Sequence, residues 1–279
     1  MRETNKTLEW EQEILKEISN RYPEAKVELT SVVKLGETKK AIAIMGKESN
    51  VCPTIYLENF KGFEVSKACN EIQKMYEEHK AKKNINMEWF YDFEKVKDKL
   101  HIKLINAENN KEYLKDKPFV KFLDLAAAFY VRVNANEIGE GNIMILNNHA
   151  KMWNVTAEML YEIAKENEHA TITDMADFMA KYAGGQTDNI KGVQYIISNT
   201  KRINGAGAFI ADIDKLKERF KKFYILPSSI HEVLLMPENR CQLSKTDLDD
   251  LVRNVNITVS PNERLADHAY YFNGEKLEA

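Results

Sequence analysis

The amino-acid sequence predicts an α+β fold in which amphipathic helices pack on mixed, largely antiparallel sheets. Strand-like and helix-like segments follow one another without strict strand–helix–strand alternation, and several neighbouring strands are separated only by turn residues. The clearest pair is 223–226 and 233–236, two apolar runs of strand length with Pro, Ser, His and Glu between them. This stretch predicts two adjacent strands of a central sheet with a polar tip.

Composition indicates an ordered chain with a sizeable core. The 279 residues suffice for one large domain or two small ones, and 44% of them are hydrophobic. The net charge of −3 argues against a generic nucleic-acid binder, which usually carries a basic excess. No apolar run approaches the roughly 18 residues that a membrane span needs. Neither nucleic acid nor membrane is therefore an expected partner.

The start of the chain and its cysteines predict a cytoplasmic protein. The first residues lead into a charged helix rather than into the apolar core of a signal peptide. Cys52, Cys69 and Cys241 are odd in number and widely spaced, which fits reduced thiols better than a disulfide framework or a zinc site.

The N-terminal half reads as alternating helices and short strands. An apolar stripe at helical spacing marks each helix, and breaker residues bound each strand. The predicted elements are a helix over 8–18, a hairpin of 27–33 and 41–45 with Gly36 in its turn, a strand over 53–57, a helix over 63–83, an amphipathic stretch from 89 to 100, and a strand over 102–105.

The polar stretch 107–118 is the best candidate for a boundary between two lobes. It would divide an N-terminal α/β lobe, 1–117, from a C-terminal α+β lobe, 118–279, although one continuous domain fits the pattern too. The run 122–133 that follows is almost continuously apolar. It predicts a strand buried on both faces, with a buried helix as the alternative. An Asn- and Gly-rich turn over 134–142 and a strand over 143–146 would complete a hairpin.

The C-terminal half carries several helix-capping signals. Thr156 precedes a predicted helix over 157–166, and Ser244 with Asp247 forms a capping-box pattern before the last helix. Thr171 or Thr173 is predicted to cap a further helix through Tyr182 that ends at Gly184 and Gly185. The aromatic tail over 265–277 is expected to pack.

The passage Gly205-Ala206-Gly207 follows a predicted strand. It lacks the third glycine and the acidic residue of a dinucleotide-binding fingerprint. Close packing of backbone is therefore the better explanation of these glycines, and no cofactor is predicted.

The polar tip holds the residue types of a nucleophile, a base and an orienting acid: Ser228, Ser229, His231 and Glu232. In an extended chain Ser229 and His231 point to one face and Glu232 to the other, so these neighbours cannot form a triad alone. The alternative is a structural hairpin tip whose serines satisfy turn amides.

A metal site would need ligands from separate segments, such as His149, His231, Glu232 and His268. The sequence has none of the spacings typical of zinc or calcium sites, so no metal is predicted.

Several phrases occur together that are similar to a known family: PTIYL at 53–57, FLDLA at 122–126 and ILPSSIHEVLLMP at 225–237. KLIN at 103–106, NVN at 254–256 and the pair Asp267-His268 accompany them. On these residues the chain resembles an uncharacterised domain-of-unknown-function family of anaerobic bacteria, nearly from end to end. The resemblance implies a cytoplasmic bacterial protein of one architecture and brings no activity, cofactor or catalytic residue.

Two functional hypotheses follow. The first is a non-catalytic intracellular binding or regulatory protein with a protein partner or self-association. The second is a hydrolase or transferase at the 227–232 tip, with His149 or His268 brought near by folding. Whether the protein is an enzyme stays open at the level of sequence.

Overall fold

The computed structural model describes the backbone of residues 2–47, 49–81, 85–135, 139–182 and 187–279. For residues 2–5, 134, 135, 139, 140 and 228 it describes the backbone alone. The predicted helix end at Gly184 and Gly185 and the middle of the turn over 134–142 lie outside the described residues.

Contacts within the chain divide it into two units. The first comprises Met1–Glu88 with Ala135–Gly139, and the second comprises Trp89–Asn134 with Glu140–Ala279. The polar stretch 107–118 lies inside the second unit, because the strand before it, Leu100–Asn106, pairs with the strand Leu125–Ala135 after it. The segment 89–117, assigned from sequence to the N-terminal lobe, thus packs with the second unit.

The first unit places two helices against a small antiparallel sheet. Buried Ile14 and Ile18 on the first helix and Ile72 on the second meet Ile42 and Ile55 of the sheet. The apolar stripes read from the sequence therefore form the core of this unit. Its elements are α1 Arg2–Arg21, β1 Lys26–Lys34, β2 Glu37–Met45, β3 Thr54–Tyr56 and α2 Val65–His79, with strand order β1-β2-β3.

The second unit contains two further sheets. One has four strands, and its buried strand carries the apolar run predicted from 122–133. The other has six strands, with the predicted central hairpin in its middle. The strands are β4 Leu100–Asn106, β5 Phe119–Phe122, β6 Leu125–Ala135, β7 Gly139–Met144, β8 Thr171–Asp174, β9 Tyr195–Ser198, β10 Phe223–Ser229, β11 Glu232–Pro237, β12 Tyr270–Phe272 and β13 Leu277–Glu278.

The two sheets of the second unit have orders β4-β6-β5, with β7 on β6, and β13-β12-β10-β11-β9-β8. Every strand pair whose register is described there runs antiparallel. The helices are α3 Glu88–Tyr91, α4 Phe93–Val96, α5 Lys111–Leu114, α6 Asn147–Trp153, α7 Ala157–Asn167, α8 Met175–Tyr182, α9 Gly207–Ala211, α10 Ile213–Phe220 and α11 Lys245–Asn256. The α+β fold with largely antiparallel sheets is confirmed.

The helix-capping predictions divide into two that are confirmed and one that is wrong. Thr156 accepts a hydrogen bond from the Met159 amide, and Ser244 and Asp247 cap α11 reciprocally. Thr171, however, begins β8, which pairs with β9, and α8 begins only after Asp174. Edge-strand pairing has overridden the local capping signal there, because the ladder offers the backbone more hydrogen bonds than a cap does.

Candidate functional site

The polar tip connects β10 and β11 in the middle of the six-stranded sheet. Ser229 and Glu232 face each other in the ladder, and the register shifts between Leu226 and Ser229. The side chain of Ser228 lies outside the described residues. The Ser229 hydroxyl oxygen accepts a hydrogen bond from the backbone N–H of His231 at 3.1 Å. Ser229 thus closes a local turn, as one of the two alternative interpretations of the tip expects.

Protein groups engage both ring nitrogens of His231. Nδ1 lies 3.3 Å from the Asn204 amide nitrogen, which donates to it. Nε2 lies 3.5 Å from a carboxylate oxygen of Glu263. Because an acceptor Nδ1 carries no proton, this arrangement selects the tautomer that is protonated at Nε2 and faces Glu263.

Backbone hydrogen bonds join the tip to two other loops. The Ile230 amide donates to the Glu263 carbonyl at 2.9 Å, and the Ile230 carbonyl accepts from the Ala206 amide at 3.2 Å. The buried Ser198 hydroxyl donates to the His231 carbonyl at 2.8 Å. Backbone groups of the tip therefore bind it to the segments that contain Ser198, Ala206 and Glu263.

His149 is part of the start of α6. Its Nδ1 accepts from the Leu146 amide at 3.2 Å, and its ring packs edge-on against Phe90 and at a tilt against Trp153. Burial lowers the pKa of this imidazole, so it stays neutral near pH 7. Among the described side chains, no hydrogen bond or ion pair links His231 to His149 or His268.

We expect His231→Ala to lower the free energy of unfolding by about 1 to 2 kcal/mol, because it removes two links between loops of the second unit. Urea denaturation measures this change. The matched control is His169→Ala, since His169 is exposed and should change stability by less than about 0.5 kcal/mol. Equal stability of the two variants would contradict the structural role of His231.

A buried acid–base pair occurs elsewhere in the second unit. Glu168 is 3% exposed, and its carboxylate lies 2.9 Å from Nδ1 of His101. The same oxygen accepts from the Ile102 amide at 3.4 Å. The pair thereby ties the residue after α7 to β4, which satisfies the buried carboxylate.

A polar cleft of about 450 Å³ lies in the second unit, and its lining includes none of the predicted tip residues. The end of β4, the turn between β5 and β6, the last turns of α11 and the segment after Glu263 form its walls. Its lining residues are Asn106, Glu108, Asn109, Asp124, Arg253, Asn256, Arg264, Leu265, Ala266 and Asp267.

Asp124 is held firmly in the turn between β5 and β6. Leu123 before it adopts φ +54°, a left-handed conformation that is uncommon for a residue with a side chain. The Asp124 carbonyl accepts from the Ala107 amide at 3.1 Å, and its carboxylate accepts from the buried Tyr270 hydroxyl at 2.6 Å. Burial and this bond raise the pKa of Tyr270 well above its ordinary value. The phenol therefore stays protonated and remains a donor.

His268 lies between two carboxylates beside the cleft. Its Nδ1 is 3.2 Å from Asp267, and its Nε2 is 3.8 Å from Asp124. The hydrogen bond from His268 lowers the pKa of Asp267 below its usual range. Nε2 is buried and has no hydrogen-bond partner among the described residues.

Asn256, at the end of α11, presents a second orphaned polar atom. The residue is 7% exposed, and its Nδ2 donates to the Ala266 carbonyl at 2.8 Å. This bond fixes the orientation of the amide, since a flip would place two oxygens against each other. The Oδ1 atom is buried and has no partner in the described part of the chain. Buried acceptors in folded proteins are normally paired with a hydrogen-bond donor, so this oxygen atom is unusual.

Charges of both signs line the cleft. Arg253 is engaged by the Asp250 carboxylate at 2.6 Å and the Asp267 carbonyl at 3.3 Å. Among the described residues, Arg264 makes one side-chain hydrogen bond, from its Nε to the Val259 carbonyl at 3.0 Å. The cleft therefore offers both donors and acceptors, which is the chemistry of a site for a small polar molecule.

Sequence reasoning named His268 but not this cleft. Asn106, Asp124 and Asn256 lie within phrases on which the resemblance rests, yet they are far apart along the chain. The hydrogen bonds of Tyr270 with Asp124, of Asn106 Nδ2 with the Leu265 carbonyl at 2.7 Å, and of Asn256 Nδ2 with the Ala266 carbonyl bring these segments to one place. In the described residues, no group of three or more His, Cys, Asp or Glu side chains could hold a metal ion.

Fold and cleft together define an α+β protein with a polar cavity in its second unit. The chain belongs to a family of unknown function, DUF5688, whose model matches residues 8–274. The resemblance to a domain-of-unknown-function family is thereby confirmed. No curated protein and no solved structure matches the chain. The described helices include none with the length and apolar character needed to cross a membrane.

Proposed function

We propose that this chain is a non-catalytic binding or regulatory protein of the bacterial cytoplasm, and that the cleft of its second unit takes a small polar ligand. The observation that carries the proposal is that Asn256 lines the cleft and that its buried Oδ1 has no hydrogen-bond partner among the described residues. A ligand hydroxyl or amine would satisfy this acceptor. The free thiols of Cys52, Cys69 and Cys241 are consistent with a reducing compartment.

The lining favours a polyhydroxylated ligand. A hydroxyl group both donates and accepts, so it can donate to Asn256 Oδ1 or Asp124 and accept from Arg264. The cleft carries three carboxylates and two arginines, and this balance gives no reason for a strongly charged ligand. Carbohydrate-like molecules of monosaccharide size match a cavity of about 450 Å³.

Catalysis at the 227–232 tip is the less favoured hypothesis. The Ser229 hydroxyl accepts from a backbone N–H, and both His231 nitrogens face protein groups. A serine nucleophile would instead need an imidazole within hydrogen-bond reach of its hydroxyl.

A binding protein of this kind acts through a protein partner or through self-association. Native mass spectrometry of protein purified from its own host under non-denaturing conditions tests this part of the proposal. A reproducible second protein or a dimer mass would support it. A bare monomer with only a small bound molecule would restrict the role to ligand binding.

We expect Asn256→Ala to weaken ligand binding by about tenfold, the worth of one well-placed hydrogen bond. The measurement is isothermal titration of the full chain against a panel of monosaccharides and sugar alcohols. Asn254→Ala is the matched control, because Asn254 is an exposed asparagine two residues earlier on α11. Unchanged affinity in Asn256→Ala, or no heat from any polyol, would overturn the proposal.

A further inference from the structure

A larger cavity, of about 860 Å³, lies in the first unit. Its walls come from α1, from β2 and from the loop between β3 and α2. All of these elements belong to the first unit, so this cavity is separate from the polar cleft of the second unit. Its volume falls within the range of small-molecule sites.

Glu11 on α1 is the unusual residue of this cavity. It lines the cavity and is only 7% exposed. Within the part of the chain whose side chains are described, it has no hydrogen-bond or ion-pair partner. A carboxylate that lines a cavity and has no protein partner is free to pair with a cation that enters there.

The surroundings of Glu11 suit an ammonium group. Trp10 lines the same cavity, and its indole N–H donates to the Phe63 carbonyl at 3.0 Å, which fixes the ring beside the cavity. An aromatic ring and a carboxylate in the lining of one cavity are both groups that attract an alkylammonium ion. The face of Phe63 is already occupied by Lys67, whose Nζ lies 4.2 Å from the ring centroid.

The lining of the cavity also contains lysines. Lys39 is neutralised by Glu37, at 2.9 Å, and by Glu58. Lys40 and Lys61 are exposed and have no ion-pair partner among the described residues. A ligand whose ammonium group meets Glu11 can therefore place an anionic group against either lysine.

We infer that the cavity of the first unit binds a small zwitterion with a primary ammonium group and a carboxylate, that is, a free amino acid. The ammonium contacts Glu11 and Trp10, and the carboxylate contacts Lys40 or Lys61. This second site is independent of the proposed polyol site.

Native mass spectrometry of the full chain with an equimolar mixture of the standard amino acids at millimolar concentration tests the inference. We expect a bound mass that is absent when the N-acetylated amino acids are used, because acetylation removes the ammonium charge. No bound mass, or equal binding of the acetylated set, would overturn the inference. Asn256→Ala should leave amino-acid binding unchanged. Loss of amino-acid binding in this variant would place the binding site in the cleft of the second unit instead.

Glu11→Gln separates a ligand-binding role from a structural one. The substitution preserves shape and removes the charge, so we expect binding to weaken by about 30-fold or more. The ligand-free variant should melt at nearly the same temperature, because the substitution removes no hydrogen bond or ion pair to a described residue. A markedly lower melting temperature, or unchanged binding, would refute the role. Glu9→Gln, at an exposed position of the same helix, should change neither quantity.

Discussion

Gly207→Ala is expected to lower the free energy of unfolding of the second unit by about 3 kcal/mol. A Cβ atom at this position would lie 2.4 Å from the carbonyl oxygen of Ile102 and 3.0 Å from its Cβ. Ile102 is fully buried in β4, and its backbone is held by pairing with Phe129 of β6. Neither side of this contact can move without breaking the ladder or displacing α9.

The measurement is thermal and urea denaturation of the purified variant, in which the melting temperature should fall by about 10 °C. Gly205→Ala should behave similarly, because its Cβ would lie 2.5 Å from the His231 carbonyl and 2.8 Å from the Asn199 amide. Gly141→Ala is the control, since a Cβ there meets no atom within 4 Å. A Gly207 variant as stable as the Gly141 variant would show that α9 does not lie against β4 at this distance.

Tyr270→Phe is expected to lower the free energy of unfolding by about 2 kcal/mol at pH 7. The ring is fully buried in β12, and the lost hydroxyl is the donor to the Asp124 carboxylate at 2.6 Å. Phenylalanine fills the same space, so the loss reports the charge-assisted hydrogen bond rather than a cavity. Tyr271→Phe, which removes the hydrogen bond of a less buried tyrosine to Glu238, should cost less than about 1 kcal/mol.

The same substitution should change the dependence of stability on alkaline pH. The raised pKa of Tyr270 keeps its proton in the folded protein, whereas an unfolded tyrosine ionises near pH 10. The contribution of Tyr270 to the free energy of unfolding is therefore complete below about pH 10. It is lost as the pH rises further, by about 1.4 kcal/mol per pH unit. Urea denaturation from pH 9 upward should show a shallower decline in Tyr270→Phe. Identical slopes in the two proteins would contradict the raised pKa.

Local patterns predicted most of the elements of this fold. The 223–237 hairpin, the buried strand within 122–133, the capping box at Ser244 and the close packing at Gly205 and Gly207 are confirmed. Each depends on residues that are neighbours in sequence, so periodicity, turn chemistry and residue size carry the signal. The capping prediction at Thr171 is wrong because its local preference competed with pairing to a strand more than twenty residues away.

The candidate site could be predicted from the sequence less well than the fold. The residues of the tip attracted attention because Ser, His and Glu stand together, yet the described side chains of the tip bond mainly to backbone. Asp124, Asn256 and Tyr270 gave no signal individually, since Asp in a turn, Asn at a helix end and Tyr in a strand are common. Their importance comes from the hydrogen bond between Tyr270 and Asp124 and from the unpaired oxygen of Asn256.

The sequence by itself determined the α+β class, the central hairpin and the family, because these depend on hydrophobic period, turn residues and ordered phrases. Only the tertiary structure decided which polar groups meet. It joined Asp124 to Tyr270 across 146 positions of the chain and left the buried Oδ1 of Asn256 with no partner in the described part of the chain. Burial and hydrogen-bond satisfaction belong to the packed protein, because each polar group's partner is set by segments far away in sequence.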